Sequence, residues 1–463
     1  MIMQKLIARN DHRHCRCRKM AMILPRLSTV ILFMAMGLPC AVSGDEIDGR
    51  AALSTAAPAD SLEQAWAEAI RSAHRLKAGH SSTEAAYETV SAAKSMHFPK
   101  VTAEGGRFWL DEGPSATVSL PGLPGLSVAM DDHFWAGGVT ATLPLYTSGR
   151  ISAGVAAAEA GWKAARAEER RDILDLKLNV ADAYVKVLRA TQAVQLAASS
   201  VAGLTAHSQN VAALFDKDFV AKNDLLASRV VLADARQREI QARNGLDLAG
   251  ASYNRFLVRP LTQSVTLEEL TPLLSAGDID ELTERAHTER PELVALSEQA
   301  QALHKEAGSV AAEALPSIGV STSYLYLENS VLDRDYVWMV GLVGTWNIFD
   351  SGLTRHKVRA LDSKAAAVAA LRADALDGVS LQVRQSWLEV DETRHRLEVT
   401  RDTVAQAEEN MKVARDRYHT GTGTNTEVLD AETLRVLSRG NHNNAVYDAV
   451  MATFRLRRAV GDL

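Results

Sequence analysis

The chain has 463 residues, a formal net charge of −6 and an aromatic content of only 5%. The acidic balance excludes the large basic surface by which proteins bind nucleic acid. Abundant alanine with few aromatic residues is typical of long helices that pack closely through small side chains, and it argues against several ordinary globular domains.

Residues 1–43 have the pattern of an export signal. A basic region precedes an apolar segment at 27–39, which is shorter than the roughly 20 residues of a membrane-spanning helix. Small residues at the end of this segment predict cleavage after Ser43, and residues 44–60 form a linker of alanine, serine and proline.

All the cysteines of the chain, Cys15, Cys17 and Cys40, lie within this leader. The mature chain is therefore expected to contain neither a thiol nor a disulfide. Lipidation of Cys40 is an open alternative that Pro39 disfavours, because lipoprotein sites carry a small residue immediately before the cysteine.

The first repeat is predicted at 61–257. It begins with short helices at 61–96 that are interrupted near Gly79. A strand pair at 99–112 and 133–146, a long helix at 148–213 and a return helix at 223–256 follow. The stretch 114–132 between the strands is rich in proline and glycine, which predicts a loop.

A collar segment at 258–280, the least helical stretch, connects this repeat to a second one at 281–463. The second repeat again opens with short helices. Its later elements are a strand pair at 316–327 and 335–348, a long helix at 351–417 and a return helix at 426–459.

The two repeats share one sequence pattern. Residues 142–256, shifted by 203 positions, fall on 345–459 without a gap. "TLPLYTSG" then matches "TWNIFDSG", and Tyr184 matches Trp387. Such self-similarity indicates an internally duplicated structural unit.

Each long helix carries apolar or small residues at alternating steps of four and three. One seam runs from Leu176 to Leu204, and its echo runs from Val379 to Ala407. A second seam through Leu178 predicts that the first long helix contacts a neighbour on each side, as a stave does in a tube. Burial in a large bundle would also give extra apolar faces, but it does not explain so long a heptad.

The strand pairs alternate in hydrophobicity over about ten residues, with aromatic residues near both ends. This pattern is typical of outer-membrane strands, and a half-buried hairpin in a soluble sandwich is the alternative. Four strands cannot close a barrel, and an open edge in lipid leaves backbone groups unpaired. The predicted fold class is therefore an α+β membrane protein that must oligomerise.

These features resemble the outer-membrane efflux proteins, the TolC-like outer-membrane factors of tripartite export systems. The resemblance covers about 61–463 and rests on "PLYTSG", "NIFDSG", "RPEL" (Arg290–Leu293) and "YHTGTGTNTEVLDAETL" (Tyr418–Leu434). The first repeat has "AHRL" in place of "RPEL", and its tip lacks the glycines of the second.

The resemblance implies a homotrimer in which the strands form a 12-stranded outer-membrane β-barrel, continued by a periplasmic α-helical coiled-coil barrel. It implies outer-membrane lipid around the barrel as well as two partners, a periplasmic adaptor (membrane fusion protein) and an inner-membrane transporter of RND, ABC or MFS type. The function expected from it is a passive duct for efflux or type I secretion.

Two sets of candidate site residues follow from the family's layout. The adaptor-docking set lies at the hairpin tips and consists of Phe215, Asp218, Asn223, Asp224, Tyr418, Gly421, Gly423 and Thr424. The second set is Glu427 and Asp430, which share one helix face and would form an acidic ring at the periplasmic entrance. A bland alternative is that both acids merely complement the helix dipole.

No motif of a catalytic, cofactor-binding or metal-binding site is present, so an enzyme is not expected. A second functional class remains open, a structural coiled-coil protein of the envelope that is anchored by β-hairpins and transports nothing. Conductance in a planar bilayer separates the two.

Overall fold

The structure, a computed structural model, describes residues 59–113, 115–118, 126–129, 131–272, 277–329 and 333–463. The predicted signal peptide with Cys15, Cys17 and Cys40, and nearly all of the predicted linker, lie outside these residues. So do parts of the 114–132 stretch and of the collar segment.

The described residues form eight α-helices and six β-strands. The first repeat contains α1 (Leu62–Ser72), α2 (His74–Ser95), β1 (Lys100–Trp109), β2 (Ser115–Val118), β3 (Leu126–Ala129), β4 (His133–Tyr146), α3 (Arg150–Phe215) and α4 (Lys222–Leu257). The second contains α5 (Ile279–Glu289), α6 (Pro291–Ala311), β5 (Ser317–Leu327), β6 (Tyr336–Thr345), α7 (Leu353–His419) and α8 (Asn425–Val460). None of the helices that the structure describes has both the length and the apolar character needed to cross a bilayer.

The main sheet is antiparallel and has the strand order β1-β4-β5-β6, so β1 and β6 are its free edges. The 114–132 stretch, predicted to be only a loop, carries the separate hairpin β2–β3. That prediction was wrong, because the short runs "SATV" and "LSVA" contain valines and a threonine, which favour strands even between proline and glycine residues.

The two faces of the main sheet differ in polarity. In the cross-strand register Val139 lies opposite Tyr324, which lies opposite Trp338, so one face carries large apolar and aromatic side chains. The other face carries Thr140 and Ser323, whose hydroxyl oxygens are 3.1 Å apart. Side chains alternate between the faces of a strand, so the two polarities are separate in this part of the sheet, whereas Phe108, Phe134 and Leu325 lie farther along the same face as Thr140 and Ser323.

Both long helices begin directly after a Ser-Gly pair in the left-handed backbone region. The φ angles are 52° and 86° at Ser148 and Gly149, and 56° and 86° at Ser351 and Gly352. This pair turns the chain from strand to helix, which is why α3 and α7 begin two residues after the predicted starts. At 1.5 Å per residue, each helix is about 100 Å long.

The short helices are interrupted at equivalent points of the two repeats. Ala73 (φ −58°, ψ 122°) separates α1 from α2, and Arg290 (φ −65°, ψ 117°) separates α5 from α6. The predicted break near Gly79 was wrong, since Gly79 lies inside α2. A glycine costs a helix only about 1 kcal/mol, which packing readily offsets.

Along the half nearest the tips, four helices lie side by side in the order α4, α3, α8, α7, and along the half nearest the sheet the order is α2, α3, α6, α7. The first seam and its echo lie in separate apolar cores, where Val180 and Val383 are each fully buried. In the half nearest the tips, α4 and α7 are the outer helices of the described part of the chain. The helical layer therefore has two free edges, as the sheet has.

Tyr184 and Trp387, which match in the sequence repeat, both bind the backbone of non-helical segments. The Tyr184 hydroxyl lies 2.8 Å from the carbonyl oxygens of both Asp60 and Glu268. Trp387 Nε1 donates to the carbonyl of Gly277 (3.0 Å). The described residues of the collar segment are thereby fixed to both long helices.

Arg290, the first residue of "RPEL", is buried where α8 ends. Its guanidinium donates to the carbonyl of Ala459 (3.0 Å) and pairs with Glu292 (3.1 Å). Arg458 also binds Glu292 (2.6 Å). Burial raises the pKa of Glu292, but the hydrogen bond and charge of Arg458 outweigh it and leave this pKa below its usual value. Arg290 of the motif thus supplies a hydrogen-bond donor to a carbonyl group in the last turn of α8.

Candidate functional site at the helical hairpin tips

The second tip is a tight turn between His419 and Asn425. The N–H groups of Thr422 and Gly423 donate to the carbonyl of Arg417 (2.9 and 3.0 Å). Gly421 has φ +72°, which favours glycine. Gly423 is needed for a different reason, because a side-chain carbon there would lie 3.1 Å from the backbone nitrogen of Tyr418.

The helix after this turn is capped by Thr424. Its hydroxyl accepts from the N–H of Glu427 (3.2 Å), which satisfies one of the first free donors of α8. Thr424 is exposed but is part of the turn's own bonding, so its side chain has a structural task as well as a place on the tip surface.

The two predicted ring carboxylates lie on the same side of α8 but in different surroundings. Glu427 Oε2 lies 3.4 Å from Arg417 Nη1, and both side chains are about half exposed. Asp430 is exposed and pairs with no cation among the described residues. The tip therefore holds one cation, Arg417, and two carboxylates, and the negative charge of Asp430 is the one that is not compensated.

Tyr418 was expected on the docking surface, and the structure contradicts this. It is only 8% exposed and packs among Val211, Met411 and Val428. Its hydroxyl is buried without a hydrogen-bond partner, and burial raises its pKa. The motif position is correct, but the heptad seam turns this ring inward.

The other predicted tip residues vary in exposure. Asp218, Asn223 and Gly421 are exposed, whereas Asp224 and Gly423 are half-buried. Phe215 is half-buried against the same core as Tyr418. Phe219, not singled out from the sequence, is 74% exposed at the first tip. The signal that could have identified Phe219 is an aromatic residue among charged residues in the short segment between two predicted helices.

A buried polar chain joins the two hairpins just above the tips. His207 Nε2 lies 2.8 Å from Asn425 Oδ1, so it acts as the donor, and Asn425 Nδ2 donates to the carbonyl of Asp224 (3.2 Å). Burial lowers the pKa of His207 despite the bond to Asn425. Sequence reasoning missed this link, because the seam continues from Leu204 to Ser208 and His207 lies one residue before that position.

No group of three or more histidine, cysteine or acidic side chains gathers as metal ligands would in the described part of the chain. The tips present a tight turn, the exposed ring of Phe219 and the carboxylates of Glu427 and Asp430. Such a surface can bind a partner or attract ions, which are the two roles predicted for it.

Both repeats of the chain are similar in sequence to known outer-membrane proteins. The family model for outer membrane efflux proteins matches residues 66–252 and 282–462, which are the two repeats. The outer membrane efflux protein BepC of Brucella suis biovar 1 is 21% identical over 430 residues, covering 91% of this chain and 88% of BepC. The alkaline protease secretion protein AprF of Pseudomonas aeruginosa is 23% identical over 301 residues, 62% of each chain.

A solved structure shares the fold. The outer-membrane channel OprN matches with a TM-score of 0.74 at 19% identity, and the match covers 87% of this chain and 90% of that one. Agreement over so much of both chains extends to the sheet as well as the long helices.

Proposed function

Because this chain belongs to the outer membrane efflux protein family, we propose that it is a passive outer-membrane channel. It carries substrates received from a periplasmic adaptor and an inner-membrane transporter to the exterior. The family match over both repeats carries this conclusion and confirms the resemblance seen in the sequence. One relative is named for efflux and another for protease secretion, so this architecture is compatible with both kinds of cargo.

The free edges support closure by copies of the same chain. The sheet ends at β1 and β6, and the helical layer ends at α4 and α7. Exposed apolar residues form a stripe on each outer helix. They are Leu226, Val230, Ile240 and Leu248 on α4, and Leu381, Leu388, Val399 and Val413 on α7. Two unlike edges that face opposite ways form a head-to-tail contact, which closes into a ring.

Three copies form the ring in our proposal. Two copies of a four-stranded sheet would give eight strands, which leave little bore, and three give a 12-stranded barrel. The face with Tyr324 and Trp338 then contacts lipid, and the face with Thr140 and Ser323 lines the lumen. The long helices continue the pore through the periplasm as an α-helical coiled-coil barrel.

This arrangement predicts an obligate trimer. In detergent, light scattering should give a protein mass about three times that of the mature chain, because the strand edges and helix stripes remain uncovered in any smaller species. A well-folded monomer that survives in detergent would contradict the proposal.

The tips are proposed as the adaptor-docking surface. Gly421→Trp should leave assembly in the outer membrane intact and abolish export, because nothing lies within 4 Å of the added side chain's first carbon and the ring would project from the tip. The measurement is drug resistance or secretion in cells that depend on this channel.

A matched control is Gly421→Asn, since asparagine tolerates the left-handed backbone and adds little bulk. It should retain export. Wild-type export by the tryptophan variant would remove this tip from the docking surface.

A conductance measurement distinguishes the channel from the alternative function, a structural spacer of the envelope. A purified trimer in a planar bilayer should produce discrete ion-conducting steps if it is a channel. A spacer would insert without any conductance.

A further inference from the structure

The polar face of the main sheet contains a groove near the end of β1. The groove has a volume of about 750 Å³ and runs across β1, β4 and the end of β5. This volume lies in the range of small-molecule sites, which is about 300–1,000 Å³.

Glycines form the floor of the groove. A side-chain carbon at Gly138 would lie 2.7 Å from Leu325 Cδ2, so the leucine side chain occupies the space that the glycine leaves. A carbon at Gly106 would lie 3.5 Å from the Phe108 ring. Phe108 in turn stacks on Phe134 with ring centroids 5.6 Å apart. The side chains of Leu325 and Phe108 therefore lie against these glycines and give the groove an apolar lining.

One carboxylate lines this groove. Glu104 is the sole acidic residue in the described strands, and it has no ion-pair partner among the described residues. Lys100 is on the same face but about 13 Å farther along the strand, beyond the roughly 10 Å over which exposed charges interact at ordinary salt. An apolar groove thus holds a single uncompensated negative charge.

We propose that this groove binds organic cations with an apolar aromatic body during their passage through the channel. The inference rests on the proposed function, which places this face in the lumen. The cationic group would pair with Glu104 while the body lies on the glycine floor against Phe108 and Leu325. A ring of three chains would present three such grooves at one level of the barrel.

The exposed position of Glu104 suits transit of a ligand better than its retention. An exposed ion pair contributes at most about 1 kcal/mol, and a channel needs sites that release what they bind. The groove is therefore a weak exit site, selective for charge sign and for an apolar body.

Binding can be measured without relying on conductance. The full-length protein in nanodiscs of zwitterionic lipid is titrated with rhodamine 6G, a planar aromatic cation, and fluorescence anisotropy is compared with that of empty nanodiscs. Glu104→Gln should weaken saturable binding about fivefold. Glu104→Asp should largely retain it, and Asp111→Asn, which removes an exposed acid outside the groove, should leave it unchanged.

Competition separates the groove from general attraction of cations. Tetraphenylphosphonium should displace the dye, whereas tetramethylammonium, which lacks an apolar body, should compete poorly. Equal binding by wild type and Glu104→Gln, or equal loss with Asp111→Asn, overturns the inference. A protein that conducts without binding the dye refutes the groove alone, and one that binds in a Glu104-dependent way without conducting refutes the channel alone.

Discussion

Replacing Arg290 by alanine should lower the free energy of unfolding by about 3–5 kcal/mol, the range for removing one partner of a buried ion pair. Arg290 is only 5% exposed. Its loss leaves the carbonyl of Ala459 without its donor and Glu292 with one cation fewer. Chemical unfolding of the purified protein in detergent, followed by far-ultraviolet circular dichroism, measures the change.

Arg75 is the matched control, because it occupies the corresponding segment of the first repeat. Its side chain is 69% exposed and lies 3.6 Å from Asp172. Arg75→Ala should therefore cost less than about 1 kcal/mol. If both substitutions have the same small effect, the "RPEL" arginine does not stabilise the end of α8 as described.

The second large effect is expected at the second hairpin tip, which we propose lies at the periplasmic entrance. The Glu427→Gln/Asp430→Asn double substitution should abolish cation selectivity and any block by trivalent cations applied from the periplasmic side. Carboxylate rings favour cations in pores. Here the double substitution also leaves Arg417 without its partner, so the entrance should pass from net negative to net positive at this level.

Single substitutions give an ordered series, measured as reversal potentials across a salt gradient. Arg417→Gln frees Glu427 and should raise cation selectivity above that of the wild type. Asp430→Asn should reduce it, and the double variant should reduce it most. Unchanged selectivity in the double variant would leave both acids as helix-terminal charges, and a different order would refute the pairing of Arg417 with Glu427 in the assembled channel.

The repeat pattern made the α+β fold and the family accessible from the sequence. Period-two alternation and long heptads are strong signals, since each element must keep one face turned to its neighbours over many residues. Short features were less accessible. The break at Ala73 and the β2–β3 hairpin depend on a few residues whose local preferences are weak.

The sequence predicted where the candidate site lies in the chain, but not the surroundings of its side chains. Tyr418 lies in the tip motif, yet the direction of its ring depends on where the seam of α7 meets the core. The pairing of Glu427 with Arg417 depends on how sharply the glycine turn brings α7 and α8 together. The bond between His207 and Asn425 was not accessible, because His207 lies one residue before the seam position Ser208 and Asn425 lies 218 residues away.

The bonds of Tyr184 and Trp387 have a mechanical consequence. They clamp the collar segment to both long helices, about 45 Å from the first tip at 1.5 Å per residue. Rotation of either long helix about its axis at this level would have to break the bonds of its aromatic residue. One aromatic side chain in each repeat thus resists rotation of its long helix against the collar segment.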